Sequence, residues 1–341
     1  MPNILELFNQ REVLDYQQDR QYPALLGETL FPEVKRQSLE FDLIKGAGRV
    51  PVIASVHAFD TEAEIGSREA SRQALELALI KRKMQLTEKD IVALENPRNA
   101  AEQEYLMKNV FNDIDVLVQG VKARVEAMRM EVLSKGQITL AENGLSATVD
   151  YGVPAANKQV LSGTSVWTDT ANSDPLADLD RWATAINGMG TRALTSKTVL
   201  NALLRHPKVL AAIYGSNSGR VATLSDLNAF MDQQGLPRIA TYDAVYRQQN
   251  ANGTYTQKRY LPQNSFVMFG EGALGETIYG PTAEEIRLQR DPAIDISKVG
   301  NVLAMVYEEN VDPVSTWTKA VATALPSFPA ADEVFQATPI A

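Results

Sequence analysis

The chain has 341 residues, of which 45% are hydrophobic and 22% charged, so it is long enough for two or three compact units with a buried core. It contains no cysteine, which excludes disulfides and thiolate ligands, and it has no run of about eighteen apolar residues that could cross a membrane. Its net charge of −9 argues against a protein that binds nucleic acid by neutralising phosphates, and its N-terminus lacks the pattern of a secretory signal.

Residues 1–37 are predicted to form an N-terminal arm and residues 38–90 an extended loop. Leu39, Phe41 and Leu43 alternate with polar residues, as in a half-buried strand, and apolar residues return over 74–86. The stretch between them, 60–72, is charged and shows no pattern of core residues. This arrangement predicts a long β-hairpin that projects from the body, with a flexible surface insertion as the alternative.

The strongest helical pattern covers residues 97–134. Asn96 is a suitable N-cap, Pro97 suits the first helical turn, and Gly136 suits the C-terminal cap. Such a helix would be roughly 57 Å long, which favours a spine packed against a sheet over a free coiled coil. The apolar residues that recur at spacings of three and four are Leu106, Val110, Ile114, Leu117, Val121, Val125, Met128 and Val132.

The rest of the chain alternates between short strands and short helices. Asn143-Gly144 predicts the turn of a hairpin over 137–151, and Asp174 or a neighbour is expected to cap a helix that runs through Asn187. The pattern predicts two short helices within 197–234 and strands over 239–247, 254–260, 265–270, 302–307 and 316–324. The fold class is therefore expected to be α+β, with a long helix and mixed sheets.

No catalytic, cofactor-binding or metal-ligating residue is assigned. His57 and His206 are the two histidines, too few for a multi-histidine metal site, and His206 next to Pro207 is expected to be structural. Gly215–Arg220 lacks the Gly-Lys-Ser/Thr ending of a phosphate-binding loop, so it is interpreted as a turn between helices. Strand packing, rather than base stacking, is the expected role of Tyr242, Tyr246, Tyr255 and Tyr260.

Several short motifs, in their order along the chain, resemble the major capsid proteins of lambda-like tailed bacteriophages. Lys135–Leu140 with Asp150–Gly152 matches the end of the family's spine helix and its hairpin, and Leu261–Asn264 followed by Val267 matches a distinctive strand entry. The other matches are Leu30–Pro32, Leu43–Gly46, Ile80–Lys83, Tyr279-Gly280 and a proline-rich tail with Asp332 and Phe335.

The resemblance implies a Hong Kong 97-type fold with five parts. These are the arm 1–37, the extended loop 38–90, a peripheral domain 91–170 with the spine helix and the hairpin, an axial domain 171–300, and strands 301–341 that return to the peripheral domain. The axial domain would lie around fivefold and sixfold axes. The arm is short and has no long charged leader, so a fused N-terminal scaffold is not expected.

The function that this resemblance implies is the major capsid subunit of a phage, without catalysis, cofactor or metal. It would assemble with itself as pentamers and hexamers in the host cytoplasm and enclose DNA without sequence-specific binding. A separate scaffold or protease, a portal and possibly a decoration protein are the implied partners. The candidate contacts between subunits are Arg49, Glu62, Glu64, Arg68, Glu69 and Arg72 in the loop.

Other function classes remain open at this point. An encapsulin-like shell would share the fold, and a phage tube or decoration protein would also be an acidic assembly module. The long helix argues against the latter, which would be mostly β. A cytosolic enzyme with a scattered site has no positive feature in this sequence.

Overall fold

The computed structural model of the chain describes residues 4–45, 71–142, 144, 146–216, 219–250, 252–292, 294–309 and 314–341. In these ranges the helices are α1 Ile4–Leu7, α2 Gln10–Asp19, α3 Leu26–Leu30, α4 Glu88–Glu95, α5 Ala100–Lys135, α6 Pro175–Ala185, α7 Lys197–Arg205, α8 Pro207–Tyr214, α9 Leu224–Gln233 and α10 Ala283–Leu288. None of them is long and apolar enough to cross a membrane.

The strands of the described ranges form two five-stranded sheets and three two-stranded antiparallel pairs. Their bounds are β1 Glu33–Lys35, β2 Glu40–Lys45, β3 Ser71–Glu76, β4 Ala78–Leu86, β5 Gln137–Leu140, β6 Ala147–Asp150, β7 Lys158–Val160, β8 Arg192–Thr195, β9 Arg238–Thr241, β10 Val245–Gln249, β11 Tyr255–Arg259, β12 Phe266–Phe269, β13 Thr277–Gly280, β14 Leu303–Glu309, β15 Ser315–Pro326 and β16 Phe335–Thr338. The predicted α+β class is confirmed.

Helix α5 confirms the predicted long helix, although it begins later than expected. It has 36 residues, a length of about 54 Å, and Gly136 ends it with a φ of 71°. The N-cap is Asn99, whose side chain accepts from the Glu102 amide, whereas Asn96 is the C-cap of α4. The residue before a proline avoids the helical region, so Asn96 ends one helix and Pro97 separates it from the next.

The first sheet has the strand order β1-β13-β15-β14, and β4 pairs with the opposite edge of β15. β15 is 12 residues long and pairs with β14 through its first part and with β13 through its last part. α5 packs across this sheet: Leu117 and Ala322 are both 0% exposed and belong to one core. This packing confirms a spine on a sheet and excludes a free coiled coil within the described chain.

The second sheet has the strand order β7-β16-β12-β8-β9, and α6 to α9 lie in the same part of the fold. Its core is aromatic: Trp182 stacks on Trp167 with ring centroids 5.5 Å apart and on Phe335 at 5.4 Å. Phe266 packs edge-on against Trp167. Aromatic pairs of this kind contribute about 0.5–1.5 kcal/mol each beyond their area burial.

The sheets do not follow the boundary predicted at residue 300. β13, from the predicted segment 171–300, pairs with β15 in the first sheet. β16, predicted to return with the other C-terminal strands, pairs with β12 and β7 in the second sheet. The reason is the burial of Phe335 against Trp182, which places the last strand in the aromatic core rather than beside β15.

The predicted hairpins are present. β2 pairs with β3, β5 with β6, and β10 with β11. The turn around Gly253 joins β10 to β11. Tyr242 stacks on Tyr260 at 6.1 Å and Tyr246 lies 5.0 Å from the same ring, so these tyrosines pack against one another, as expected for strand packing.

Candidate functional site

The loop residues proposed as contacts between subunits fall mostly where nothing is described. Arg49, Glu62, Glu64, Arg68 and Glu69 lie outside the described residues. The backbone of Arg72 lies in β3, where it pairs with Ile44. The structure therefore describes only the β2–β3 base of the predicted extended loop.

The base of the hairpin is fixed to the body by apolar packing. Phe41 of β2 and Leu75 of β3 are directly paired, and both are buried in the core that contains α5. Leu77 lies against Gly280, where an added Cβ would come within 2.5 Å of the Leu77 side chain. The base of the β2–β3 pair is thus packed beside the end of β13.

One carboxylate of α5, that of Asp115, holds three side chains of the N-terminal arm. Asp115 of α5 accepts hydrogen bonds from the hydroxyl of Tyr16 at 2.8 Å and from the hydroxyl of Tyr22 at 3.1 Å. The guanidinium of Arg20 lies 2.9 Å from the same carboxylate. Burial and the nearby Asp115 charge raise the pKa of Tyr22, so both phenols remain donors at neutral pH.

Arg129 is the centre of a buried network that joins the arm, α5 and β13. Its guanidinium contacts Glu33 at 2.9 Å and Glu126 at 3.5 Å, and its Nε donates to the Thr277 hydroxyl at 2.8 Å. The Arg129 side chain is 1% exposed and that of Glu126 is 0% exposed. Burial alone would raise the pKa of Glu33, but hydrogen bonds from Arg129 and Asn301 hold it below its ordinary value.

Glu126 extends this network to two further parts of the chain. One oxygen accepts from the Gly27 amide at 2.9 Å and from the Tyr242 hydroxyl at 2.8 Å. A Cβ at Gly27 would meet the other oxygen at 2.3 Å, so the arm can approach this closely only with glycine. The network therefore fixes the arm and the chain before β10 to the same turn of the spine.

Sequence reasoning missed this network. The available signal was the charged pair Glu126 and Arg129, three residues apart, which interrupts the apolar repeat of Val125, Met128 and Val132. Charges that are three or four apart are common on exposed helix faces, so the pattern did not distinguish a buried pair from a surface pair.

His206 has the structural role that was predicted. It is buried, its Nε2 lies 3.0 Å from the Ser173 hydroxyl, and its Nδ1 accepts from the Lys208 amide at 3.3 Å. Ser173 in turn donates to the Asp169 carbonyl at 2.6 Å. Since Nδ1 is an acceptor and Nε2 faces a hydroxyl, the ring is neutral and holds the start of α8 against α6 rather than activating a nucleophile.

The buried, neutral His206 makes a testable prediction about acid stability. Burial lowers its pKa from 6.5, so below pH 6.5 the unfolded chain takes up a proton that the folded chain resists. Stability should therefore fall as the pH falls through 6.5 towards the lowered pKa, by at most about 1.4 kcal/mol per pH unit for one proton. In thermal unfolding from pH 7.5 to 5.5, His206→Gln should show a shallower fall than the parent; identical slopes would contradict the prediction.

Among the described residues, no group of three histidine, aspartate or glutamate side chains could hold a metal ion. Gly215 and Gly219 have φ values of 82° and 62° and lie in the connection between α8 and α9. Their position between two helices agrees with the interpretation as a turn.

Comparison with known proteins adds independent findings. The sequence profile of the family described as "Phage major capsid protein E" matches residues 10–339. A search among curated proteins finds no significant match. The solved structure of the putative capsid protein of a prophage of Escherichia coli CFT073 covers 98% of this chain and 99% of that chain, with a TM-score of 0.63 and 15% sequence identity.

A second solved structure has a similar relation to this chain. It is a phage-related protein from Bordetella bronchiseptica RB50, with a TM-score of 0.54, 12% sequence identity and coverage of 96% of each chain. At such low identities, the two structures show a shared fold and nothing finer.

Proposed function

Since this chain belongs to the phage major capsid protein E family and is a subunit of a virion capsid, we propose that its copies assemble as pentamers and hexamers through the projecting hairpin. The match over residues 10–339 carries the capsid function. The Hong Kong 97-type fold expected from the sequence is confirmed as well. The tube, decoration-protein and cytosolic-enzyme alternatives are set aside.

The hairpin is the proposed contact because its base presents an apolar side chain that this subunit does not cover. Leu39, directly before β2, is 46% exposed. A neighbouring subunit would bury it. Arg49, Glu62, Glu64, Arg68, Glu69 and Arg72 would add mixed-sign pairs, each contributing about 0.2–1 kcal/mol but repeated many times in a closed shell.

The two sheets suggest how the subunit is placed in the shell. We assign the peripheral domain to α5 with the sheet around β15, and the axial domain to the sheet around β12 with α6 to α9. Under this assignment β13 belongs to the peripheral domain and β7 and β16 to the axial domain, which changes the boundaries at 170 and 300. The buried Arg129 network would keep the arm and the spine in one orientation during assembly.

We also propose partner proteins and a cellular location for assembly. Assembly would occur in the host cytoplasm with a separate scaffold or protease and a portal, and a decoration protein could bind the finished shell. The net charge of −9 suits a shell that encloses DNA without sequence-specific contacts. The role would be structural, without catalysis or cofactor.

Deleting residues 60–72 should abolish assembly without unfolding the subunit. The deletion removes the charged stretch of the hairpin and leaves the packed base, Phe41 with Leu75, in place. With scaffold co-expressed, the parent should give closed particles by negative-stain imaging and light scattering, and the deletion variant should give none.

The control is a variant with Arg49, Glu62, Glu64, Arg68, Glu69 and Arg72 neutralised to glutamine at unchanged loop length. It should lower particle yield while its circular dichroism and melting temperature match those of the unassembled parent. Normal particle yield for both variants would show that the hairpin makes no essential contact. A parent chain that remains monomeric in all these conditions would contradict the assembly proposal itself.

A further inference from the structure

A long trough of about 1110 Å³ crosses the middle of α5. Residues 119–124 of α5 line it, and a Cβ added at Gly120 among them would lie 3.6 Å from the Cδ of Arg82, in ordinary contact. One wall is residues 78–82 of β4, and the other is residues 245–249 of β10. Tyr22 of the arm and Leu140 of the β5–β6 hairpin also line it.

Both walls are strand edges rather than strand faces. Successive side chains of a strand point to opposite sides, so five consecutive lining residues mean that the strand presents its edge. In the described chain β4 pairs with β15 on one side, and β10 pairs with β11 on one side. Each strand therefore directs a row of unpaired backbone N–H and C=O groups into the trough.

The volume matches one additional strand. A strand residue occupies about 3.3 Å along the chain, about 4.8 Å between strands and about 10 Å between layers, or about 160 Å³. The trough could then hold about seven extended residues. This length is close to the five-residue edges that face each other across it.

The lining is basic in a protein of net charge −9. Five cations, Lys81, Arg82, Lys122, Arg124 and Arg247, line the trough together with one carboxylate, Glu142. Arg124 pairs with Glu142 at 3.1 Å, and Lys122 lies 3.9 Å from Glu28. Arg82 contacts the uncharged Gln249 at 3.4 Å, and Arg247 lies over the Tyr255 ring.

Apolar and aromatic side chains line the trough beside the cations: Met128, Leu140, Tyr246 and Tyr260. A nucleic-acid duplex would place its phosphates against the cations and leave these side chains uncovered. An extended peptide with acidic residues on one side and apolar residues on the other would satisfy the strand edges, the cations and the apolar lining together.

We propose that this trough is a docking site for an extended acidic peptide segment of a partner protein, which adds a strand between β4 and β10. Cations on an open edge repel strands of like charge and select acidic ones, so they also prevent non-specific pairing of the free edges. The inference goes beyond the shell-forming role, because it assigns a binding site on each subunit that does not depend on how copies assemble.

The probe is a fluorescein-labelled octapeptide of alternating valine and glutamate, titrated against the full-length protein by fluorescence anisotropy. The parent should bind it, and Arg82→Glu should bind it about tenfold more weakly, because an attraction is replaced by a repulsion. The matched control is Arg205→Glu at the exposed end of α7, which should bind like the parent.

Two further measurements separate strand addition from simple charge attraction. The same peptide N-methylated at alternate residues keeps its charge but loses backbone donors, and it should not bind. Hydrogen exchange should show slower exchange over 78–82 and 245–249 when the unmodified peptide is present. Equal binding of the N-methylated peptide, binding unaffected by Arg82→Glu, or displacement of the peptide by duplex DNA at equal charge would each overturn the proposal.

A second copy of this chain is the competing occupant, and it is tested on the same samples. If residues 78–82 and 245–249 are already protected in the assembled protein without peptide, and the peptide then fails to bind, the trough is an interface between copies and the partner proposal is wrong. Exposed edges in the assembled protein, with retained peptide binding, would support it.

Discussion

The Leu117→Asp variant should accumulate as insoluble or unfolded protein, because it places a charge in the centre of the packed spine. Leu117 is 0% exposed and lies in the core shared by α5 and the first sheet. An unpaired carboxylate at such a position costs several kcal/mol, either as a buried charge or as a forced neutral acid, and the large leucine side chain is lost as well. Since native domains are stable by about 5–15 kcal/mol, this single change can remove most of the margin.

Asn112→Asp is the matched control on the same helix. Asn112 is exposed, so the same carboxylate remains in water there and should change stability by no more than about 0.5 kcal/mol. Soluble yield and melting temperature of the two variants are compared with the parent. Equal values for both variants would show that α5 is not buried along this face, and the spine packing described above would be wrong.

Replacing Arg129 by methionine should destabilise the subunit by about 3–5 kcal/mol. The change leaves the carboxylates of Glu33 and Glu126 without their shared cation, and Glu126 is completely buried. The Thr277 hydroxyl loses its donor, although it still donates to the Phe31 carbonyl at 2.9 Å. Urea unfolding of the unassembled subunit measures the loss directly.

Arg124→Met is the control for that experiment. Arg124 pairs with Glu142 at 3.1 Å on a partly exposed surface, where such pairs contribute about 0–1 kcal/mol. Acidification adds a second check, because the lowered pKa of Glu33 contributes stability above the ordinary glutamate pKa and loses it as the pH falls below that value. This part of the acid sensitivity should disappear in Arg129→Met; a variant as stable as Arg124→Met would refute the role assigned to the network.

The parts of the fold that could be predicted from the sequence are those with a local repeat. α5 shows apolar residues every three or four positions, and the β10–β11 turn contains the Asn-Gly pair that hairpins favour. The start of α5 was misplaced because Asn96-Pro97 is a good helix start in isolation. Only the preceding α4, capped by Thr87 and Asp90, shows that Asn96 ends a helix.

The elements that were missed have little local signal. α2 has only Val13 and Leu14 buried, so its sequence is nearly as polar as a loop, and its position depends on contacts with β14 and Asp115. The pairing of β16 with β12 and β7 joins residues far apart in the chain, which no periodicity encodes. The Arg129 network and the trough beside β4 likewise arise from tertiary contacts between segments that each look ordinary.

The position of β16 also determines when the second sheet can be completed during synthesis of the chain. β16 lies between β7 and β12 in the second sheet, about 180 residues after β7 along the chain. While a ribosome is still making residues before 335, the sheet lacks this inner strand and the aromatic core around Trp182 lacks Phe335. A chain that ends before residue 335 therefore lacks both the inner strand of that sheet and the Phe335 side chain of its aromatic core.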